Sequence, residues 1–172
     1  LGIWRCFVLS AILGALSAFA LPPWSFLPLI IPAFTGFLWL IDTAEKSPYP
    51  LSRSAITAWF FGFGHFFVGM HWIAEPFLVD ATRHSWLIPF VLLGLSGGLA
   101  IFIAITVVLL TFCNRIFLLS PIARVLLFSV IWVFIEWVRS WLFTGFPWNF
   151  IGYIWSTNIE VMQMAAFVGV LG

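Results

Sequence analysis

Residues 86–112 read WLIPFVLLGLSGGLAIFIAITVVLLTF, a run of about 27 positions without a charged side chain. An α-helix needs about 20 consecutive apolar residues to cross the hydrocarbon core of a bilayer. This run exceeds that length and can span with tilt. The whole chain has the same character. Hydrophobic residues fill 63% of its 172 positions and charged residues only 8%, against about 25% charged in an ordinary soluble domain. Seven basic and six acidic side chains cannot cover a water-facing surface of this size. Eleven tryptophans are too many for one soluble core, but they suit the two membrane–water interfaces. The expected fold is all-α: a polytopic helical membrane protein.

Outward from that run, five further apolar stretches can be read. The first covers 6–21 and ends at Pro22-Pro23-Trp24-Ser25, because tandem prolines cannot continue a helix. The second covers 26–41, with Pro28 tolerated in its first turn and Pro32 expected to kink it. Both are short for a span, so a tight helical hairpin is expected. Ala18-Phe19-Ala20 imitates a signal-peptidase site, but the spans that follow argue for a retained first helix. The polar stretch DTAEKSPYPLSR at 42–53 is a loop, followed by a run at 54–73 and a second polar segment at 74–85. After 86–112 come a short loop at 114–124, a run at 125–143, a break at 144–149, and a sixth run from 159 to 172. This gives one N-terminal transmembrane domain over 1–172, with about six helices, the last truncated. Both ends of the chain lie in apolar sequence, so a fragment of a longer protein is expected. There is no internal repeat.

Lys and Arg favour the cytoplasmic side of a membrane. With the N-terminus inside, Arg5, Lys46, Arg53, Arg115 and Arg124 are cytoplasmic, and only Arg83 and Arg139 fall outside. An N-in topology is expected. The net charge of +1 and the lack of a basic tract exclude nucleic acid as a partner.

Glu136 and Arg139 are the most informative ionisable pair. Three positions apart on the fifth helix, they share a face, and an ionisable residue inside a span is a functional hypothesis by default. Two readings are open. In one, the pair neutralises itself and holds helices together. In the other, the guanidinium forks onto a phosphate near the outer leaflet. Gly94-Leu95-Ser96-Gly97 matches the motif around an intramembrane-protease serine, but all three histidines precede Ser96, so close helix packing is the better reading. His71 and Glu75 are too few ligands for a metal. Cys6 and Cys113 have no basic partner nearby in sequence and read as inert, without a disulfide. No cofactor is implied.

Residues 132–153 read WVFIEWVRSWLFTGFPWNFIGY. Glu136, Arg139, Thr144-Gly145-Phe146-Pro147-Trp148 and Gly152-Tyr153 together resemble bacterial apolipoprotein N-acyltransferases. Phe61-Gly62-Phe63-Gly64, followed by Gly69-Met70-His71-Trp72-Ile73, is similar to a second segment of that family. The resemblance covers essentially the whole chain, though the first 50 residues match in pattern only. It implies a role in transferring an acyl chain from a phospholipid donor to the N-terminal diacylglyceryl-cysteine of an apolipoprotein acceptor. The setting it implies is the outer face of the bacterial inner membrane. It further implies that catalysis belongs to a nitrilase-like domain with Cys, Glu and Lys, which does not occur in this sequence. On this reading the chain holds no catalytic residue and is inactive alone; it anchors that domain and helps admit lipid. Glu136, Arg139, Pro147, Trp148, Tyr153 and Trp72 are the candidate substrate-binding or lipid-access residues. The alternatives are a membrane transporter, for which repeated halves are missing, and a structural membrane subunit.

Overall fold

The computed structural model describes residues 2–142 and 145–171, apart from the side chain of Val168. Among the described residues the chain is helical, with no strand. Five long helices form the bundle: α1 (Ile3–Ala18), α2 (Ile30–Glu45), α3 (Pro50–Gly69), α6 (Ile88–Phe117) and α7 (Pro121–Arg139). Two four-residue helices, α4 (Glu75–Leu78) and α5 (Ala81–His84), lie between α3 and α6. Another pair, α8 (Ile159–Met162) and α9 (Ala165–Val168), closes the chain. Among the described residues, three helical segments are long and apolar enough to cross a membrane: Leu27–Glu45, Ala81–Phe117 and Pro121–Arg139. Ile3–Ala18 is apolar but shorter.

Helix α3 is the centre of the bundle and packs against α1, α2 and α6. Its approach to α1 is backbone to backbone. A Cβ on Gly14 would collide with the Phe61 carbonyl, and one on Gly64 with the Ala11 carbonyl. Such close crossings let helices associate where lipid offers no hydrophobic driving force. Ser10 Oγ reinforces the crossing by donating to the Thr57 carbonyl at 2.6 Å. On the α6 side, Gly62 lies against Ala100, and Trp59 Nε1 donates to the Gly97 carbonyl at 3.0 Å. The Gly-Leu-Ser-Gly motif is therefore a packing surface on Gly97, with Ser96 fully buried. Between α2, α3 and α7, Phe37 stacks on Phe61 with centroids 4.0 Å apart, and Phe34, Phe128 and Trp132 complete an aromatic core.

The helix ends differ from the sequence expectation where polar residues find partners in other helices. The second helix continues past 41 to Glu45, and the fourth expected run, 86–112, continues to Phe117. Glu45 accepts from Thr111 and Asn114, each at 3.0 Å, while Arg124 pairs with Asp42 and with Glu45. Asp42, Glu45 and Asn114 thus sit in helices rather than loops. Helix α3 begins at Pro50 rather than 54, with proline at its first position, where the missing N–H costs nothing. Helix α7 covers Pro121–Arg139 rather than 125–143; Ser120 caps it by accepting from the Ala123 amide. The sixth run, expected as one helix over 159–172, is instead two four-residue helices within the described residues. This segment turns back on the preceding loop, where Val170 abuts Gly152 so closely that no Cβ fits there.

The α1–α3 crossing predicts a paired result. Gly64→Val should lower the thermal midpoint of the purified membrane protein, at a cost of roughly 1–3 kcal/mol or more for overpacking. Gly94→Val, where a side chain meets open space, should leave it nearly unchanged. Equal effects from the two variants would show that the crossing is not a constraint.

Candidate functional site

The site is built at the end of the bundle where α7 stops and the chain folds back. Arg139 ends α7. Its carbonyl accepts from the Phe146 amide at 2.9 Å, so the chain reverses over the helix terminus. Gly145, at φ +89°, makes the reversal possible, because a Cβ there would strike the Ser140 carbonyl. Asn149 takes a left-handed conformation at φ 55°, which asparagine tolerates better than most residues. A 3₁₀ turn over Ile151–Trp155 then carries the chain back along α7.

Glu136 and Arg139 hold this loop from below. Both are buried, at 6% and 3% exposure. Glu136 Oε1 accepts the Ile151 amide at 2.9 Å and lies 3.8 Å from Arg139 Nη2. Arg139 Nη2 donates to the Asn149 carbonyl at 3.5 Å. The guanidinium is also sandwiched between the rings of Phe66 and Phe150, 4.9 and 5.0 Å from their centroids. Such cation–π contacts strengthen as the charge is desolvated.

His65, one turn below Gly69 on α3, is buried beside the pair. Ser17 Oγ is hydrogen-bonded to His65 Nδ1 at 2.8 Å and lies 2.6 Å from the Gly14 carbonyl, to which it donates when Nδ1 carries the ring proton. His65, Trp132, Glu136, Arg139 and Asn149 border an internal cavity of about 10 Å³. That is room for about one water, and a phosphate does not fit. Arg139 Nη1, Trp132 Nε1 and Asn149 Nδ2 have no hydrogen-bond partner in the protein, a donor set that suits one bridging water.

The remaining candidate residues face outward. Trp72 and Trp148 meet edge to face at 5.3 Å and are 41% and 50% exposed. Trp24 lies 4.9 Å from His71 and 4.9 Å from Phe19, extending this aromatic rim across the start of the chain. Pro147 is exposed beside Trp148. Tyr153 stacks on Phe150 at 5.9 Å and lines a separate cavity of about 470 Å³ between α7 and residues 151–171. That cavity is walled by side chains such as Val133, Ile151, Ile154 and Met162, with Glu136 at its edge. Thr144, part of the same sequence block, lies outside the described residues. Cys6 and Cys113 are free thiols on half-buried positions, and no group of three metal-ligating side chains exists among the described residues.

Sequence reasoning brought together Glu136, Arg139, Pro147, Trp148, Tyr153 and Trp72, and the structure places all six around one loop. It missed Ser17, His65, Phe66, Asn149 and Phe150. Asn149 and Phe150 directly follow the quoted Pro147-Trp148, and His65 directly follows Gly64, so adjacency to the motifs was the available signal. Nothing in the sequence points from Ser17 to His65.

Comparison with known proteins gives the family. Residues 13–172 match the family described as the apolipoprotein N-acyltransferase N-terminal domain. The apolipoprotein N-acyltransferase of Rhizobium rhizogenes is 37% identical over 170 residues, covering 96% of this chain and 31% of that protein. The enzymes of the same name from Rhizobium leguminosarum bv. trifolii and Caulobacter vibrioides are 38% and 36% identical, covering 92% and 98% of this chain. The chain spans 30–31% of the length of these three relatives. Matched along nearly all its length, and with the buried pair and aromatic loop in one place, the chain belongs to the apolipoprotein N-acyltransferase family, through that family's N-terminal domain.

Proposed function

We propose that this chain is the membrane-embedded part of an apolipoprotein N-acyltransferase, which moves an acyl chain from a phospholipid to the N-terminal diacylglyceryl-cysteine of a lipoprotein. Its own work is to anchor the catalytic domain in the inner membrane and to present an aromatic entrance to lipid. The observation that supports this best is the loop at 145–155, exposed and aromatic on its outer side and fixed on its inner side by Glu136 and Arg139. Arg139 serves as a positioning residue: its guanidinium is buried and committed to Asn149 and two rings, with no space beside it for a head group. Trp72, Trp148 and Pro147 form the rim that touches lipid, since an amphipathic indole suits the level at which a phospholipid's ester lies. Tyr153 and the cavity of about 470 Å³ beside it offer an apolar path of the size that ligand pockets have.

In the full-length enzyme, Arg139→Ala should strip the loop of its main tether. Losing a charge-assisted hydrogen bond costs roughly 1.5–3 kcal/mol, so amide exchange at 146–151 should speed up by roughly tenfold or more. Acyl-enzyme formation should slow in parallel. Arg139→Lys should restore little of either, because the planar fork is lost. Trp148→Ala should slow acyl loading several-fold while leaving exchange at Ile151 unchanged. Normal loading in a well-folded Trp148→Ala, Trp72→Ala double variant would end the lipid-access reading.

The N-in orientation rests on charge. Lys46, Arg115 and Arg124 border one cavity at an end of the bundle, and Arg53 borders a neighbouring cavity there, together with Ile3 and Cys6 near Arg5. Arg83 and Arg139 belong to the other end. Five cations against two support a cytoplasmic position for the first end. Thiol labelling of intact cells should then reach Ser85→Cys and miss Ser120→Cys, above the labelling of the unmodified protein. The reverse pattern would invert the topology.

A further inference from the structure

We propose that the end of the bundle opposite the aromatic loop carries a binding site for the phosphate head group of an anionic phospholipid, held between Lys46 and Arg115. The site is a cavity of about 500 Å³ where the C-terminal ends of α2 and α6 meet the N-terminal ends of α3 and α7. Its charged lining is Asp42, Glu45, Lys46, Arg115 and Arg124, three cations against two carboxylates.

The carboxylates do not face an incoming anion unpaired. Arg124 bridges Asp42 and Glu45, and both oxygens of Glu45 also accept from α6: Oε1 from Thr111 and Oε2 from Asn114, each at 3.0 Å. Arg124 is thus committed to the protein. Lys46 and Arg115 are different. Both are exposed, and neither has an ion-pair or hydrogen-bond partner among the described residues. They project from two separate helix ends onto one cavity, so a phosphate between them would be approached from both sides.

The surroundings select a lipid over a free anion. Leu118, which lines the cavity, is 86% exposed, and Phe117 and Ile122 beside it are 68% and 75% exposed. A head group seated on the two cations would have its acyl chains against this apolar rim. Basic pockets between membrane helices are a recurrent setting for anionic head groups. The volume is within the range of small-ligand pockets. Leu118 itself, left-handed at φ 46°, ends α6 and turns the chain toward α7. This site is independent of the lipid entrance at the other end and needs only that the bundle be membrane-embedded.

The test uses the delipidated full-length protein in detergent. Phosphatidylglycerol, phosphatidylethanolamine or inorganic phosphate is added, and lipid adducts are counted by native mass spectrometry alongside the thermal midpoint. Phosphatidylglycerol should bind and raise the midpoint, and phosphatidylethanolamine should do so more weakly. The Lys46→Ala, Arg115→Ala double variant should bind phosphatidylglycerol roughly tenfold to thirtyfold more weakly, as expected for two cations lost. Its midpoint without lipid should stay near that of the parent, because neither side chain belongs to the Arg124 network. The Lys46→Arg, Arg115→Lys variant should retain binding. Equal phosphatidylglycerol adducts in parent and double variant would overturn the site. A full midpoint rise with inorganic phosphate alone would overturn its assignment to lipid.

Discussion

A guanidinium at 3% exposure in the interior of a helical bundle sets the terms for everything around it. Removing such a charge from water costs several kcal/mol unless partners replace the lost hydration. For Arg139 the partners are Glu136, the Asn149 carbonyl and the faces of Phe66 and Phe150. Glu136 in turn needs the Ile151 amide. Only Glu136 and Phe66 come from the long helices. Every other compensating group lies within 149–151, so the chain must return over the end of α7 to supply them. The positive φ of Gly145 and the left-handed Asn149 are consequences of that return. The outward display of Pro147 and Trp148 follows as well, since the inner side of the loop is occupied by the pair.

The two ends of the bundle handle charge in opposite ways. At the end holding Asp42, Glu45 and Arg124, the network joins α2, α6 and α7 directly, helix to helix. At the other end, the network joins a helix to a loop. Helix α3 connects the two, fixed on α1 by backbone approach at Gly14 and Gly64 and on α6 through Gly62 and Trp59. A site is held best when a rigid scaffold positions a surface loop. Here the scaffold is locked at the end remote from the loop, and the loop is docked by only a few polar contacts. The docked element is therefore the part that an altered contact would free first.

Apolar run length and proline placement are local properties, and they made the helical class, the first hairpin break and the outward loop legible in the sequence. Glu136 and Arg139 could be paired in advance because they lie one helical turn apart. What the residues do with their second partners was not legible. Ser17 reaches His65 across 48 positions and Glu45 reaches Asn114 across 69, and no periodicity encodes such pairings. The same blindness moved helix ends. Asp42, Glu45 and Asn114 look like loop residues when each is weighed by its own polarity, yet they sit in helices because Arg124 pairs with both carboxylates and Asn114 donates to Glu45. The segment after 159 failed for a related reason. Its apolar residues look like a span, but the chain breaks into two short helices and turns back so that Val170 meets Gly152, while Ile159, Met164 and Phe167 stay exposed.

The internal cavity decides which side of the loop a lipid can use. At about 10 Å³ it admits one water and no part of a phospholipid, so a lipid reaching this end of the bundle must stay outside the polar core. Outside, it meets Trp72 and Trp148 at the rim and the apolar walls beside Tyr153. Selectivity among head groups then has no free buried cation to rely on at this entrance, since Arg139 is already spent on Asn149 and the two rings. Recognition on the proposed pathway would come from depth and shape instead: the rim would fix the level of the ester, and the adjoining cavity would take an acyl chain. A charged donor pocket would discriminate by head group and bind tightly. An aromatic rim holds a lipid weakly, which suits an entrance that a substrate must also leave.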